Sequence, residues 1–360
     1  MNRKAGALVA DGTDGTGGTR ETEEGPMCRP NHERAQSARR GIETLGVLNE
    51  KARALAYGIE DLDWARPLQR DRLWSPPDIA PLVHLPSFAR LSPTEARRYN
   101  QLFAVGVCEQ FVWFEQHLLC PILRRLLAQV EIPAELREAL EIFIEEENKH
   151  SEMFWRMCEK AEPQFYPTRR FRLFNTSRLQ DAAVAVMLRH PRTFLVWIWA
   201  VIFFEERTVD YCRQYLRTAR AQPDLLDPSF VELHEFHMKD EGRHFQLDQH
   251  LLTWLYDPAP RWKRALAGRM FRQLMRAYVS PRRTSWSVLE VLGQEFPHLQ
   301  AEVLPALRRE LPLLRTNRSF HQAAFSRQAV GHSMALFTEY PEMDALWDLF
   351  VVEGKQGARA

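Results

Sequence analysis

Apolar residues recur at intervals of three and four positions through most of the chain after about residue 40, which is the spacing of amphipathic helices. This pattern predicts a short helix over about 40–57 and another over about 175–189. It also predicts four long helices, over about 92–129, 133–160, 192–219 and 228–256. Further helices are expected in the C-terminal third. No long segment shows the two-residue alternation of apolar and polar residues that is typical of a strand.

The four long helices come in two pairs, each joined by a short turn. Pro133 follows the first turn, and the Pro- and Asp-rich segment QPDLLDP forms the second. Short connections make neighbouring helices antiparallel. We therefore predict an all-α protein whose core, about 92–256, is a four-helix bundle with additional N- and C-terminal helices.

Two N-terminal segments depart from the helical pattern. Residues 1–40 are rich in Gly, Thr, Arg and Glu, and they carry too few apolar groups to offset the entropy of ordering, so this tail is expected to be disordered. The segment WSPPDIAPLVHLPSF contains four prolines and is expected to be an extended arm across the domain surface. Residues 41–360 are predicted to form a single helical domain.

Charge and composition narrow the choice of partners. The chain has 48 Lys plus Arg against 47 Asp plus Glu, so no overall field favours nucleic acid or an anionic membrane. The apolar run near Phe194–Phe204 is too short to span a bilayer, and the N-terminus lacks the apolar core of a signal peptide, which makes the cytoplasm the expected location. The five cysteines show no paired spacing, so neither disulfides nor zinc are expected.

The candidate chemistry lies in two Glu-x-x-His motifs on different helices. The second long helix carries Glu147 and His150, and the fourth carries Glu241 and His244, with His237 one turn earlier. At about 100° per residue, the three residues of the fourth helix point to the same side. Two such motifs, with one Glu from each of the other two helices, are the ligand set of di-iron and di-manganese bundles. Carboxylates bridge hard cations, and imidazoles suit iron.

The acids on the first and third long helices are less clearly fixed. On the first helix Glu115 shares a stripe with apolar residues, and Glu109 is the competitor. On the third, adjacent Glu205 and Glu206 point about 100° apart, so only one of them is expected to be a ligand. The apolar stripe of that helix favours Glu205.

At these motifs the sequence resembles the AurF-like di-iron N-oxygenases, the p-aminobenzoate N-oxygenase family, which are ferritin-like bundles. The resemblance runs from near Trp64 through the fourth long helix. FEQHLLCP is similar to the family's first-helix motif, which implies that Glu115 is a ligand. ERTVD is similar to its third-helix motif, which implies Glu206 and leaves Glu205 as the alternative.

The second- and fourth-helix motifs of the family are matched more closely. Its Asp-Glu-x-x-His aligns with Glu146, Glu147 and His150, where Glu146 departs from the family's Asp. Its His-x-x-Asp-Glu-x-x-His is matched by His237, Asp240, Glu241 and His244. The ligand set implied by the resemblance is therefore Glu115, Glu147, His150, Glu206, His237, Glu241 and His244. Asp240 is a candidate hydrogen-bond partner for an imidazole on a neighbouring helix.

The resemblance implies an oxygenase with two iron ions that activates dioxygen and oxidises a small organic molecule, with N-oxygenation of an arylamine or amine as the expected reaction. Hydroxylation or desaturation of another metabolite, and ferritin-like iron oxidation, are alternatives. No flavin or nicotinamide fingerprint is present, so electrons are expected from a reductase or ferredoxin, or from peroxide. Bundles of this class often pair through a flat helix face, which allows a homodimer.

Overall fold

The computed structural model describes residues 42–129 and 131–350. Helices are the regular secondary structure of this part of the chain, with one isolated parallel bridge between Leu73 and Leu226. The expected disordered tail, 1–40, lies outside the described residues. The helices are α1 (Leu45–Ala54), α2 (Pro93–Val112), α3 (Cys120–Gln129), α4 (Ala134–Ala161), α5 (Arg178–Arg189), α6 (Val196–Ala221), α7 (Pro228–Leu251), α8 (Arg261–Tyr278), α9 (Arg282–Glu295), α10 (Val303–Glu310), α11 (Arg318–Phe325) and α12 (Arg327–Phe337). The prediction of an all-α fold is confirmed.

Two antiparallel hairpins form the bundle, as predicted. In the first hairpin α2 and α3 pack against α4, and in the second α6 packs along α7. Local signals set the helix starts. Ser92 caps α2, with Glu95 completing a capping box, and Asp227 accepts hydrogen bonds from the first amides of α7. α4 and α7 bring the two hairpins into contact.

Two stretches that the sequence pattern assigned to regular α-helix are π-helical instead. Trp113–Leu119 joins α2 to α3, with helical backbone angles at both junctions, and Leu252–Tyr256 extends α7. A π-turn inserts one extra residue per turn, so side chains on either side of it change face. The single helix expected over about 92–129 is therefore interrupted in its middle, near Glu115.

The proline-rich arm is part of the core and does not lie on the surface as expected. Three short 3₁₀ turns carry it, at Pro77–Ile79, Pro81–His84 and Pro86–Arg90. The side chains of Trp74, Ala80 and Leu82 have no exposed area. The amide of Asn100 on α2 pairs with the backbone of Trp74 and Ser75. Because these backbone groups are paired, the arm can be buried without a regular element of its own.

The C-terminal helices cover the outer side of α6. α8 and α12 both pack on it, and their aromatic rings meet Trp199 and Phe203 of α6. None of the helices in the described residues has the length and apolar content needed to cross a membrane. The four cysteines there are buried and free.

Gly268 of α8 packs against the 3₁₀ segment Pro341–Asp348. A Cβ at this position would lie 2.5 Å from the carbonyl oxygen of Glu342, which is backbone and cannot rotate away. We expect Gly268→Ala to lower the free energy of unfolding by about 1–3 kcal/mol through overpacking, as measured by urea denaturation.

Gly242→Ala is the matched control for this prediction. Gly242 also lies inside a helix, α7, but a Cβ there meets nothing within 4 Å. We expect this change to raise stability by up to about 1 kcal/mol because alanine is the better helix former. Equal effects of the two substitutions would contradict the close contact at Gly268.

Candidate metal centre

Four carboxylates and three imidazoles meet inside the bundle, and all seven side chains are buried. They come from both hairpins: Glu115, Glu147, His150, Glu205, His237, Glu241 and His244. Two overlapping groups have ligand atoms within 4.8 Å of one another. One contains Glu147, His150, Glu241 and His244, and the other contains Glu115, His150 and His237.

The two Glu-x-x-His motifs face each other across α4 and α7. His244 Nδ1 lies 2.9 Å from Glu147 Oε1 on the opposite helix and 3.5 Å from Glu241 Oε1 on its own. His150 Nδ1 lies 3.4 Å from Glu241 Oε1. The three-residue spacing places both members of each motif on one helix face, so each pair reaches the same centre.

His237 enters from the same face of α7, one turn before Glu241. Its Nε2 lies 2.8 Å from Glu241 Oε1 and 3.7 Å from Glu115 Oε1. The sequence prediction that His237, Glu241 and His244 converge therefore agrees with the geometry. His237 presents Nε2 to the cluster, whereas His150 and His244 present Nδ1.

Glu115 lies in the π-helical turn Trp113–Leu119. Ser151 of α4 donates a hydrogen bond of 2.7 Å to Glu115 Oε2, which leaves Oε1 facing His237. Single π-turns inside α-helices occur often at functional sites because they re-aim one side chain without ending the helix. Glu115 and the apolar residues that share its stripe lie in or next to this turn. The turn therefore sets the direction in which the Glu115 carboxylate points.

Glu109, the alternative on the first long helix, has other partners. It accepts hydrogen bonds from the Tyr166 hydroxyl and from the backbone amides of Arg172, Leu173 and Phe174. These four bonds occupy its buried carboxylate and order the segment after α4. Glu109 thus holds a loop, and Glu115 is the acid of this helix that the structure brings to the cluster.

On α6 the two adjacent glutamates have different partners. Glu205 is the residue at the cluster, with Oε2 3.8 Å from His244 Nδ1. Glu206 points about 100° away and accepts hydrogen bonds from the amides of His332 and Ser333. α12 is kinked at Val330, whose φ is −146°, so the amides just after the kink need side-chain acceptors. The apolar stripe, and not the motif alignment, identified the inward residue.

A second layer of charged groups holds two of the imidazoles from behind. His150 Nε2 lies 3.0 Å from Asp240 Oδ2 on α7, and His244 Nε2 lies 2.9 Å from Glu146 Oε2 on α4. The pairing is reciprocal, since each helix supplies the carboxylate for the other helix's histidine. Arg243 donates to both Glu146 and Asp240, and Lys149 donates to Asp240. Such contacts fix the ring orientation and tautomer of a ligating histidine.

The sequence identified Asp240 as a candidate partner for an imidazole on a neighbouring helix, and His150 on α4 is that imidazole. It did not assign Glu146 a role, although its place directly before Glu147 was the available signal. No signal in the sequence indicated that Ser151, Lys149 and Arg243 would contact the site. Their contacts depend on how α4 and α7 face each other, which only the folded bundle defines.

The pKa values of the clustered groups reflect crowded negative charge. Burial, and then the nearby Glu147 carboxylate, raises the pKa of Glu115 well above its ordinary value. Burial and Glu241 raise the pKa of Glu205 in the same way. Burial would also raise the pKa of Glu241, but His237 holds it well below its usual range. Carboxylates packed this closely require cations beside them to keep all their charges.

Five buried polar atoms of the cluster make no hydrogen bond of normal geometry, although His244 Nδ1 lies 2.9 Å from Glu147 Oε1 and His237 Nε2 lies 2.8 Å from Glu241 Oε1: Glu147 Oε1, His150 Nδ1, Glu205 Oε2, Glu241 Oε1 and His244 Nδ1. Each belongs to a residue whose side chain reaches the same small region. Buried polar atoms are almost always paired, so five unpaired ones that converge need an explanation. Bound metal ions provide one, because oxygen and imidazole nitrogen donors in this number suit transition metals such as iron and manganese. The residues therefore fit a metal site.

Aromatic rings enclose this cluster. Phe143 lies 4.2 Å from the His244 ring, and Phe154 and Phe111 lie 4.8 and 5.0 Å from the His237 ring. An apolar wall of this kind excludes water and strengthens electrostatic interactions inside the site.

A helical bundle with two facing Glu-x-x-His motifs and further inward glutamates defines a carboxylate-type metalloenzyme. The sequence model of the family described as P-aminobenzoate N-oxygenase AurF matches residues 41–339, and the chain belongs to this family. The protein is thus an oxidoreductase of the di-iron oxygenase class, as the sequence predicted.

The solved structures that match the chain include mutants of an R2-like ligand-binding oxidase. One, with an anaerobically reconstituted Mn/Fe cofactor, is 16% identical, with a TM-score of 0.41 over 77% of this chain and 94% of that chain. Another, with an aerobically reconstituted Fe/Fe cofactor, is 17% identical, with a TM-score of 0.37 over 81% and 94%. No curated protein sequence matches the chain.

Adjacent Glu205 and Glu206 provide a matched pair for testing the site. We expect Glu205→Ala to lower the metal bound per chain, because its Oε2 faces the cluster. Glu206→Ala should retain metal but lower the free energy of unfolding by about 1–3 kcal/mol, since it leaves two amides of α12 without an acceptor. Elemental analysis and urea denaturation of both variants measure the difference. If Glu206→Ala lost metal and Glu205→Ala retained it, Glu206 would be the ligand, as the motif alignment implied.

The second layer predicts a separate effect. Asp240→Asn removes the carboxylate behind His150, and we expect metal affinity to fall about 10–100-fold, as measured by competition with a chelator. Glu235→Gln, an exposed position on the same helix, is the control and should leave affinity unchanged. An unchanged affinity in Asp240→Asn would show that this contact does not act on the site.

Proposed function

We propose that the protein is an oxygenase that holds two iron ions in this cluster and uses dioxygen to oxidise a small organic amine, with N-oxygenation of an arylamine as the reaction. The proposed ligands are Glu115, Glu147, His150, Glu205, His237, Glu241 and His244. This set differs from the one implied by motif alignment only in Glu205, which takes the place of Glu206.

The observation that carries the proposal is the convergence of five unpartnered buried donor atoms from α4, α6 and α7. Four carboxylates would offset the charge of two divalent cations, and three imidazoles would leave positions for dioxygen. Membership in a family described by N-oxygenation of an aromatic amine supports the reaction and the substrate class. When bound, the metal ions would supply dioxygen binding and activation.

The remaining residues have supporting tasks. Asp240 and Glu146 hold His150 and His244 with their Nδ1 atoms toward the carboxylates of the cluster, where the metal ions would bind. Arg243 donates to both carboxylates and Lys149 donates to Asp240, which keeps the two acids charged so that they remain hydrogen-bond acceptors. The rings of Phe143 and Phe154 exclude water, which limits side reactions of oxidising species.

Electrons must reach the site from outside, because an oxygenase reaction at two irons needs a reductant and the sequence contains no fingerprint for a flavin or nicotinamide. We propose a separate reductase or ferredoxin as the donor, or peroxide as a source of both oxygen and electrons.

The test is to load the purified protein with ferrous iron, reduce it, and expose it to dioxygen with p-aminobenzoate and other arylamines. We expect about two irons per chain, and hydroxylamine, nitroso or nitro products in mass spectrometry. Glu147→Ala should lose both iron and product, because Glu147 belongs to the central group of four. Glu145→Ala, an exposed position two residues earlier, should retain both.

Three results would argue against the proposal. Failure to bind iron would remove its basis, and equal iron content in Glu147→Ala and Glu145→Ala would place the metal elsewhere. Two irons with hydroxylated or desaturated products from other substrates would keep the metal centre but replace N-oxygenation.

A further inference from the structure

The three imidazoles at the cluster differ in what lies behind them. The second ring nitrogen of His150 faces Asp240, and that of His244 faces Glu146, both within 3.0 Å. The second ring nitrogen of His237 faces a sulfur atom instead, the Sγ of Cys212 on α6, at 3.9 Å. A thiol thus stands where the other two histidines have carboxylates.

Cys212 also contacts another histidine. Its Sγ lies 3.8 Å from Nδ1 of His234, which precedes His237 by one turn of α7. All three side chains are buried, with at most 1% of their surface exposed. The thiol therefore lies between two imidazoles, at distances where a sulfur atom can accept one hydrogen bond and donate another.

The direction of these hydrogen bonds follows from the orientation of His237. Its Nε2 faces Glu241 and Glu115, so at a metal site this nitrogen carries the lone pair. Nδ1 then carries the hydrogen and can donate it to the Cys212 sulfur. The S–H of Cys212 is left to donate to Nδ1 of His234, so each of these polar groups has a partner.

We propose that Cys212 is the positioning residue for His237, and that His234 in turn orients the thiol. This inference rests on the proposed function, because it assumes that His237 Nε2 binds metal. Sulfur is a weaker acceptor than a carboxylate, so His237 is the least electron-donating of the three imidazoles. A metal ion bound by His237 would therefore have a different ligand field from one bound only by the other two imidazoles.

A separate metal site made of Cys212, His234 and His237 is the competing interpretation, since their ligand atoms lie within 4.8 Å of one another. It would require the His237 ring to bind metal through both nitrogens at once. The surroundings of His234 are also aromatic: Phe111, Phe154, Tyr211 and Tyr215 have ring centroids within 6.2 Å of its own. These contacts favour a hydrogen-bonded chain over a third metal ion.

Three variants test the proposal. Cys212→Ala removes the acceptor, and Cys212→Ser keeps a smaller hydroxyl that can accept and donate. Cys158→Ala is the matched control, because Cys158 is also fully buried but its sulfur contacts the carbonyl oxygen of Val105. Metal stoichiometry and affinity are measured with ferrous iron and with cobalt(II), by chelator competition and visible absorption. Thermal unfolding of the metal-free proteins reports loss of packing.

We expect wild type and Cys158→Ala to bind two metal ions with equal affinity and equal cobalt spectra. Cys212→Ala should bind one of its two ions about 10-fold more weakly, the lower end of the effect of losing an outer hydrogen bond, and its cobalt spectrum should change. Cys212→Ser should recover part of that loss, although alanine and serine remove similar packing volume.

Each other outcome has a defined meaning. If wild type binds no pair of metal ions, the proposed function fails. If wild type binds two ions and Cys212→Ala behaves like Cys158→Ala, only the role of Cys212 fails. A serine variant no better than alanine would assign the loss to packing and overturn the hydrogen-bond role. A third cobalt ion with a sulfur charge-transfer band, lost in Cys212→Ala, would replace the chain with a metal site.

Discussion

The structure depends on the burial of several acids at one point of a helical bundle. Glu115, Glu147, Glu205 and Glu241 are at most 4% exposed, and removing carboxylates from water is costly unless each meets a cation or hydrogen-bond donor. Within the cluster only the imidazoles and Ser151 offer such contacts, and five donor atoms are still unpaired. Metal binding and folding are therefore expected to be coupled, because bound cations remove a penalty that the apoprotein must carry.

The reciprocal pairs between α4 and α7 offset part of that penalty and join the two hairpins. Glu146 lies beside Glu147, and Asp240 lies beside Glu241, so each helix sends one acid to the cluster and its neighbour to the opposite helix's histidine. Arg243 contacts both outer acids, and Lys149 brings a second positive charge to Asp240. The same short motif thus provides the proposed ligands and the contacts that join the two helices.

Helical periodicity was sufficient to predict the bundle, because buried faces repeat every three to four residues in all four long helices. Helical spacing also placed Glu147 and His150 on one face of α4. In the same way it placed His237, Glu241 and His244 on one face of α7. It could not predict the π-turn at Glu115, because a local change of helix pitch leaves no sign in the apolar pattern. The arm around Trp74 was misplaced for a related reason: its burial depends on Asn100, which pairs with its backbone only in the folded chain.

On α6 the motif alignment favoured Glu206 as the inward acid, whereas the apolar stripe favoured Glu205. The contacts of the two side chains show why these two signals disagreed. Both acids are buried and both have definite partners, one at the cluster and one at the amides that follow the kink at Val330. Because neighbouring helical residues point about 100° apart, satisfying both fixes the rotation of α6 about its axis. Rotating the helix to bring Glu206 inward would withdraw Glu205 from His244 and leave the amides of α12 unpaired. The C-terminal helices therefore help to set which face of α6, and hence which acid, the bundle presents to its centre.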